Sequence, residues 1–340
     1  MRRVKGKAAV VAMAAAGAFA ATAYAAVAMS TATPKPNAVS FVGAAPGSGK
    51  GLKLGYISLG ESVPFVRLVS NGIKAQAKIA GAQLVFCDSA LDAAKALDCA
   101  KTFKTQGVQG YLNFDVFQNA SAGICKSGPQ VPVIAIDIHQ KPCEKAFMGA
   151  NNLYAGYIAG QAVGKYFKSH FSCKYDTFVS LESSAAGVVN DQRLGGYRQG
   201  FSSVCGQIHD LKKIDGADRI DPARTKFADA LTALPGQHHI IVVSINDDGI
   251  EGALAAAKTA GRVDDLYVSG QGADPSAWCL IKNNKQWVAD SAYFPEKYGL
   301  IGIPYLIKLV KGQTIPKELY VPHVIITAAN ITKYYQPQNC

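Results

Sequence analysis

The chain has 340 residues, a length that suits two domains of ordinary size better than one. Hydrophobic residues make up 49% of it and charged residues 17%, a balance that excludes an intrinsically disordered protein. The formal net charge is +11, but beyond the N-terminus the basic residues are scattered. A nucleic-acid surface needs a clustered basic stripe, so we expect no nucleic-acid partner.

Residues 1–28 are predicted to be a secretory signal peptide. Four basic residues precede an uncharged, alanine-rich run from Ala8 to Met29, and Ala26-Val-Ala28 matches a small-residue cleavage site. A run of this length could also span a membrane, so an uncleaved membrane anchor is the alternative. Both interpretations predict an exported protein, periplasmic or extracytoplasmic. Residues 29–50, rich in Pro, Gly, Ala and Ser, are predicted to form a flexible linker.

Beyond the linker, strand-like and helix-like patterns alternate. In the first half the apolar periodicity predicts helices at 65–80 and 90–105, and strands at 53–59, 83–87, 108–113, 131–137 and 146–149. In the second half it predicts helices at 152–167, 191–204, 222–234, 249–260 and 297–311, and strands at 177–181, 207–214, 240–245, 266–269 and 321–327. Strands separated by such helices indicate right-handed βαβ units. The predicted fold class is α/β, with two similar Rossmann-like parallel-sheet lobes.

The chain contains an even set of eight cysteines. In an exported protein this favours disulfides over metal binding or catalysis, and no cysteine lies in a zinc-like spacing. Eight cysteines allow 105 pairings. Sequential pairing is the most economical, because each consecutive pair flanks one structural unit; it gives Cys87–Cys99, Cys125–Cys143, Cys173–Cys205 and Cys279–Cys340. The alternative is eight small buried hydrophobic side chains.

Polar and aromatic residues gather where the predicted strands end. Open parallel sheets bind ligands beyond the carboxyl ends of their strands, so side chains from the two halves would face each other across a cleft. Carboxylates, amides and aromatic rings suit a polyol with one apolar face. Asp and Asn also form loops and cap helices, which is the structural alternative for each of them. The candidates are Phe65, Asn113, Asp115, Asp137, Asn246, Asp248, Gln271 and Phe294.

Motifs that carry chemistry are missing from the sequence. It contains no Gly-x-Ser-x-Gly and no His-Glu-x-x-His, and Gly47-Ser-Gly-Lys50 fails as a phosphate loop because it precedes a strand instead of following one. We therefore expect no enzymatic activity, no metal site and no cofactor.

Five segments resemble the type I periplasmic sugar-binding proteins of ABC transporters, the ribose-binding-protein-like group: Pro64-Phe65, Val131–Asp137, Gln192–Phe201, Ser244–Gly249 and Val268–Asp274. The resemblance covers roughly residues 53–334. It implies two lobes joined by a hinge. The first lobe would comprise residues 51–150 plus 295–321, and the second residues 151–294 plus 322–335.

The resemblance also implies which residues contact the ligand: Phe65, Asn113 or Asp115, Asp137, Asn246, Gln271 and Phe294. The family's ligand arginine falls on Asp191, with Arg193 two places later. Ile138 stands where the family often has Arg, and Gln271 where an Asp is common. These departures change the charge of the pocket, so no particular sugar is implied.

The implied function is that of an exported solute-binding protein of an ABC transporter. It would capture a small polar ligand, most simply a sugar, in the cleft between its lobes and deliver it to a membrane permease. We expect a monomer. A ligand-binding sensor module for a chemoreceptor or kinase is the alternative, followed by an exported α/β hydrolase.

Overall fold

The computed structural model describes residues 32–115, 118–338 and 340. The predicted signal peptide lies outside these residues. Residues 34–340 contain two six-stranded sheets. The first sheet has the order β11-β5-β4-β3-β1-β2 and consists of β1 (Lys53–Ser58), β2 (Gln83–Asp88), β3 (Gly110–Asn113), β4 (Val133–Ile136), β5 (Glu144–Gly149) and β11 (Glu318–Tyr320).

The second sheet repeats this architecture. Its order is β12-β10-β9-β8-β6-β7, and it consists of β6 (Thr177–Glu182), β7 (Leu211–Asp215), β8 (Ile240–Ser244), β9 (Leu266–Gly272), β10 (Trp287–Ala292) and β12 (Val324–Ile326). β12 is antiparallel to β10, and the other strand pairs are parallel. Two parallel-sheet lobes of class α/β are confirmed.

Helices cover both faces of each sheet. The first lobe contains α1 (Pro64–Ala80), α2 (Ala93–Thr105), α3 (Ser121–Ser127) and α9 (Gly299–Val310). The second contains α4 (Asn152–Phe171), α5 (Val188–Cys205), α6 (Ile220–Thr232), α7 (Asp247–Thr259), α8 (Trp278–Asn283) and α10 (Ile331–Tyr334). α1 and α9 pack on one face of the first sheet and α2 with α3 on the other; α4 with α5 and α6 with α7 do the same for the second. Each sheet therefore has an apolar core on both of its faces.

Local sequence signals place several helix ends. α1 starts at Pro64, whose missing N–H costs nothing at a first helical position, and it stops at Gly81, which has a left-handed φ of 67°. Asn151 caps α4, because its side chain accepts a hydrogen bond from the Tyr154 N–H at 3.2 Å. The bounds of α1 agree to within one residue with the helix predicted at 65–80, and α4 begins at residue 152 as predicted.

The strand predicted at 321–327 is shorter in the structure, and an unpredicted strand of the other lobe directly precedes it. Residues 318–320 form β11 in the first sheet, and residues 324–326 form β12 in the second. Each strand has three residues, too few for a periodic signal. Pro322 lies in the crossing between them.

The predicted flexible linker over residues 29–50 is wrong for its later part. The N–H of Val39 donates to Tyr320 O at 2.9 Å, the N–H of Gly43 to Leu300 O at 2.9 Å, and the N–H of Gly49 to Ala80 O at 2.7 Å. The ring of Phe41 packs edge-on against the ring of Phe294, with ring centres 6.0 Å apart. A composition rich in Gly, Pro and Ser argues against a helix, but it does not prevent apolar residues from packing on a neighbouring lobe.

All eight cysteines are paired in the order predicted. The bond between Cys279 and Cys340 spans 61 residues and ties the end of the chain to α8. No helix within the described ranges is long and apolar enough to cross a membrane.

We expect the Cys279–Cys340 bond to stabilise the fold measurably. Replacing both cysteines by Ser frees residue 340 from α8, and a loop of this length corresponds to a loss of ~4 kcal/mol in the free energy of unfolding. Urea denaturation of the mature protein measures this, with mass mapping of the unreduced wild type showing no free thiol. An unchanged unfolding midpoint would mean that this bond contributes nothing.

Glycines bring the backbones of α4 and α5 into direct contact. A Cβ at Gly156 would meet Arg193 O, one at Gly160 would meet Tyr197 O, and one at Gly200 would meet Tyr157 O, each closer than 3.0 Å. Since these neighbours are backbone atoms, they cannot move aside as a side chain would. Only glycine permits this approach.

Gly160→Ala should therefore destabilise the protein by ~1–3 kcal/mol, the usual cost of overpacking. Gly123→Ala is the matched control in α3, because its Cβ would meet only Leu97 Cδ1 at 3.5 Å, an ordinary contact. Urea unfolding of the two variants should give a lower midpoint for the first alone. Equal midpoints would show that α4 and α5 can separate at little cost.

Candidate functional site

A cavity of about 350 Å³ lies between the lobes at the carboxyl ends of the strands. Its size is suited to a small ligand. The first lobe lines it with Leu59, Val63, Phe65, Val66, Phe114, Asp137 and Ile138, and the second with Val189, Arg193, Asn246, Gln271, Gly272, Asp274 and Tyr293. A smaller hollow of about 250 Å³ adjoins it and shares Val63, Phe65, Asn246 and Asp274. A larger hollow, about 750 Å³, lies on the outer surface between α6 and α7 and faces no strand end.

Asp137 follows β4 directly and presents its carboxyl group to the cavity from the first lobe. The hydroxyl of Tyr298 donates to Asp137 Oδ1 at 3.0 Å. Burial of the carboxyl raises the pKa of Asp137 to about 6, although the Tyr298 hydrogen bond and the charge of Arg193 oppose the shift. The residue retains partial exposure to the cavity. The carboxyl group is therefore shielded from bulk water but open to the cavity.

Arg193 is fixed in the second lobe by three contacts. Its Nε donates to Asn152 Oδ1 at 2.8 Å, its Nη1 donates to Ile245 O at 3.0 Å, and its guanidinium carbon lies 4.8 Å from the centre of the Tyr293 ring. Because the side chain is held on one lobe, it is preorganised before any ligand arrives. Two N–H groups of Nη2 and one of Nη1 remain to meet a ligand oxygen.

Gln271 and Tyr293 form a second fixed unit of the same lobe. The Tyr293 hydroxyl donates to Gln271 Oε1 at 2.9 Å. This bond orients the amide, and the buried Nε2 of Gln271 has no partner within the described part of the chain. A buried N–H without a partner costs ~1–3 kcal/mol, so a ligand acceptor here would relieve that cost.

Asn246 lines the cavity and also caps α7. Its Oδ1 accepts from the Gly249 N–H at 3.1 Å, and its Nδ2 donates to Asp218 O at 2.8 Å. The structural alternative raised from the sequence therefore applies to Asn246. One N–H and one lone pair of the amide remain for a ligand.

Phe65 supplies an aromatic ring at the mouth of both hollows. It begins the first turn of α1 and packs edge-on against Tyr298, with ring centres 5.9 Å apart. A ring at this place can cover the apolar face of a cyclic polyol.

Five predicted site residues do not line the cavity. Asn113 and Asp115 are fully buried in the first lobe, where Asn113 Nδ2 donates to Gln140 Oε1 at 3.2 Å and Gln140 Nε2 donates to Asp115 O at 2.6 Å. Asp191 is exposed in the first turn of α5. Phe294 is buried in the core of the second lobe and stacks on Tyr335, with ring centres 5.6 Å apart. Asp248 lines only the smaller hollow.

Sequence reasoning missed other residues at the site. Asp274 ends the Val268–Asp274 segment without being chosen, and in the segment Ala292–Phe294, which the resemblance implicates, Phe294 was chosen and Tyr293 was not. Asn152 and Tyr298 carry no local signal, because each acts through a partner distant in the sequence.

Asp274 on the cavity wall is backed by two further carboxyl groups of the second lobe, Asp247 and Asp290. The N–H of Asp274 donates to Asp247 Oδ2 at 2.7 Å, and the N–H of Ala273 donates to Asp290 Oδ1 at 2.9 Å. Burial raises the pKa of Asp290 to about 7. Burial also raises the pKa values of Asp247 and Asp274 well above the ordinary value, and repulsion from neighbouring carboxyl groups adds to both shifts. No group of three or more His, Cys, Asp or Glu side chains in the described ranges is arranged to hold a metal ion.

The fold and the cavity define a two-lobed α/β binding protein. The model of the periplasmic binding protein domain family matches residues 54–314, and the chain belongs to this family. A putative rhizopine-binding protein of Rhizobium meliloti is 23% identical over 291 residues, which cover 79% of this chain and 88% of that protein. The ribose import binding protein RbsB of Escherichia coli (strain K12) is 25% identical over 260 residues, which cover 74% and 82%.

Solved structures share the fold. An ABC transporter periplasmic solute binding protein from Actinobacillus succinogenes with bound D-allose has a TM-score of 0.69 and 19% identity, covering 83% of this chain and 100% of that one. An ABC transporter solute binding protein from Bacillus halodurans with bound myo-inositol has a TM-score of 0.70 and 16% identity, covering 84% and 98%.

The raised pKa of Asp137 predicts an unusual pH dependence of stability. Between the unfolded value near 3.9 and the folded value of about 6, the folded state binds the proton more strongly, so this group's contribution to stability falls as the pH rises through that window. Asp137→Asn removes the contribution while keeping an acceptor for Tyr298.

The variant should therefore gain ~2 kcal/mol on the wild type between pH 4.5 and pH 8, because about 1.4 of the roughly two pKa units, at 1.36 kcal/mol each, fall within this pH range. Urea unfolding of both proteins at several pH values measures the difference, with Asp229→Asn on the outer surface of α6 as the control. A difference that does not change with pH would contradict the buried, proton-binding carboxyl.

Proposed function

We propose that this protein is exported and captures a sugar or a related polyol between its lobes for delivery to an ABC-transporter permease. The observation that carries the proposal is the cavity at the strand ends, where both lobes place polar groups with unused hydrogen-bonding capacity beside an aromatic ring. Membership of the family and the ligands named for the relatives support the same class of ligand.

The groups at the cavity wall match the needs of a polyol. Each hydroxyl donates one hydrogen bond and accepts others, so a binding site needs donors and acceptors side by side. Gln271 Nε2 and Arg193 Nη2 are donors, and the carboxyl groups of Asp137 and Asp274 are acceptors. Phe65 covers an apolar ring face. The proposal includes no chemical step, since the cavity needs only to bind and release.

We propose that the three crossings between the lobes act as the hinge. The chain leaves the first sheet after Gly149, returns after Ala292, and crosses again between Tyr320 and Val324. These crossings support the lobe boundaries inferred from the sequence: 51–150 plus 295–321, and 151–294 plus 322–335.

His323 links all three crossings. Its Nδ1–H donates to Ala292 O at 3.1 Å, and its Nε2 accepts from the Asn151 N–H at 3.0 Å. This pair of bonds requires the neutral ring, and burial lowers the pKa of His323 to about 4. Ligand contacts made by both lobes would then stabilise the closed arrangement about this joint, and a permease would recognise it.

A thermal-shift screen against sugars and polyols tests the proposal, because binding to the native state raises the apparent stability. For a ligand found in this way, Asp137→Ala and Gln271→Ala should each weaken the affinity by roughly ten- to a hundredfold, as expected for buried partners worth ~1–3 kcal/mol. Asn246→Ser should weaken it less, since Ser keeps the helix cap.

Calorimetry on folded variants decides the outcome, with Asp229→Ala as a control remote from the cavity. If Asp137→Ala and Gln271→Ala fold and bind the ligand as the wild type does, the cavity between the lobes is not the binding site.

A further inference from the structure

The second lobe brings a carboxyl oxygen to the cavity wall that the protein itself leaves without a partner. Asp274 Oδ1 is buried and accepts no hydrogen bond within the described part of the chain. The residue lines both the cavity of about 350 Å³ and the adjoining hollow. Its backbone is held in place, because the Asp274 N–H donates to Asp247 Oδ2 at 2.7 Å. The backbone that carries this carboxyl group is therefore fixed, and Oδ1 keeps its acceptor capacity for a ligand.

The charges around Asp274 favour a cation. The carboxyl groups that line the two hollows are Asp137, Asp218, Asp248 and Asp274, and the cations that line them are Arg193 and Arg219. Behind the wall lie the carboxyl groups of Asp247, Asp290 and Glu251, and burial raises the pKa of each of them. This acid-rich site occurs in a chain whose overall formal charge is +11.

Arg193, the cationic side chain that lines the cavity, already has partners within the second lobe. Arg193 uses Nε and Nη1 on Asn152 and Ile245, and its plane lies against Tyr293. Burial is the largest cause that raises the pKa of Asp274 well above its ordinary value, and the neighbouring carboxyl groups Asp247, Asp248 and Glu251 raise it further. The charge of Arg193 opposes this shift. An ionised Asp274 in a closed cleft therefore needs a further positive charge beside it.

We propose that Asp274 makes this site select ligands that carry a protonated amino group on a hydroxylated ring or chain, an amino sugar or an amino polyol. The inference rests on the proposed function and names the chemical class of its ligand. A hydroxyl group would supply a donor to Asp274 Oδ1 but no charge. An ammonium group supplies both, and a charge-assisted hydrogen bond is about twice as strong as a neutral one.

Matched pairs of compounds that differ in one group test the proposal. The probes are D-glucose and D-glucosamine, D-galactose and D-galactosamine, and D-sorbitol and D-glucamine, each titrated into the full mature protein by calorimetry at pH 7. In at least one pair the amino member should bind about tenfold more tightly or better, a difference of ~1.4 kcal/mol.

The isosteric change Asp274→Asn should remove this preference. It keeps an acceptor oxygen and the loop geometry but not the charge, so the two members of the pair should then bind within about threefold of each other. Asp229→Asn on α6 removes one surface charge remote from the cavity and should leave the preference unchanged. Asp274→Ser provides a second variant, and circular dichroism checks that each protein is folded.

The outcomes separate the two proposals. If the hydroxyl member of every pair binds as tightly as its amino partner, the amino-group inference is wrong and polyol binding stands. If the amino preference persists in folded Asp274→Asn and Asp274→Ser, Asp274 is not its source and the inference is wrong. If none of the six compounds binds at millimolar concentration, the amino-group inference fails, and a blank in the wider sugar and polyol screen would overturn the proposed function as well.

Discussion

Strands that are buried on both faces leave only their ends for polar chemistry, and the arrangement of this protein depends on that constraint. All four residues of β4 are buried, and Asp137 is the first side chain beyond them. β8 is likewise buried throughout, and Asn246 follows two residues after its end. Because the strands of each sheet run parallel, such residues collect at one edge of each lobe. Two edges facing each other then form a site that neither lobe could make alone.

The helix pair α4–α5 shows how packing, not local preference, positions a functional side chain. The glycines of the two helices bring the backbones so close that a Cβ at Gly156 would meet the carbonyl oxygen of Arg193. At this separation the Arg193 side chain reaches Asn152 at the start of α4 and Ile245 beyond β8. The guanidinium is thereby held over Tyr293. Three segments of the second lobe converge on one side chain before any ligand is present.

The sequence predicted the features that depend on one strand or helix at a time. Alternation of strands and helices predicted the two lobes, and strand ends predicted Phe65, Asp137 and Gln271 at the cavity wall. The prediction that Asn113 and Asp115 line the cavity was wrong, because both are buried against Gln140. A strand pattern shows where a strand ends, but it does not show which partner a side chain meets there. The packing of residues 38–50 also depends on contacts with distant segments. Whether the site residues act on a ligand stays a prediction.

The polar groups of the site are divided between the two lobes, and each lobe holds its own share in place. The second lobe holds Arg193, Asn246, Gln271 and Asp274 in bonds made within that lobe, so this half of the site exists before closure. The first lobe adds Phe65 and Asp137. These two residues are also held within their own lobe, because the Tyr298 hydroxyl donates to Asp137 and the Phe65 ring packs on Tyr298. In the proposed function a ligand that contacts both halves stabilises the closed state, since only closure brings the two halves together.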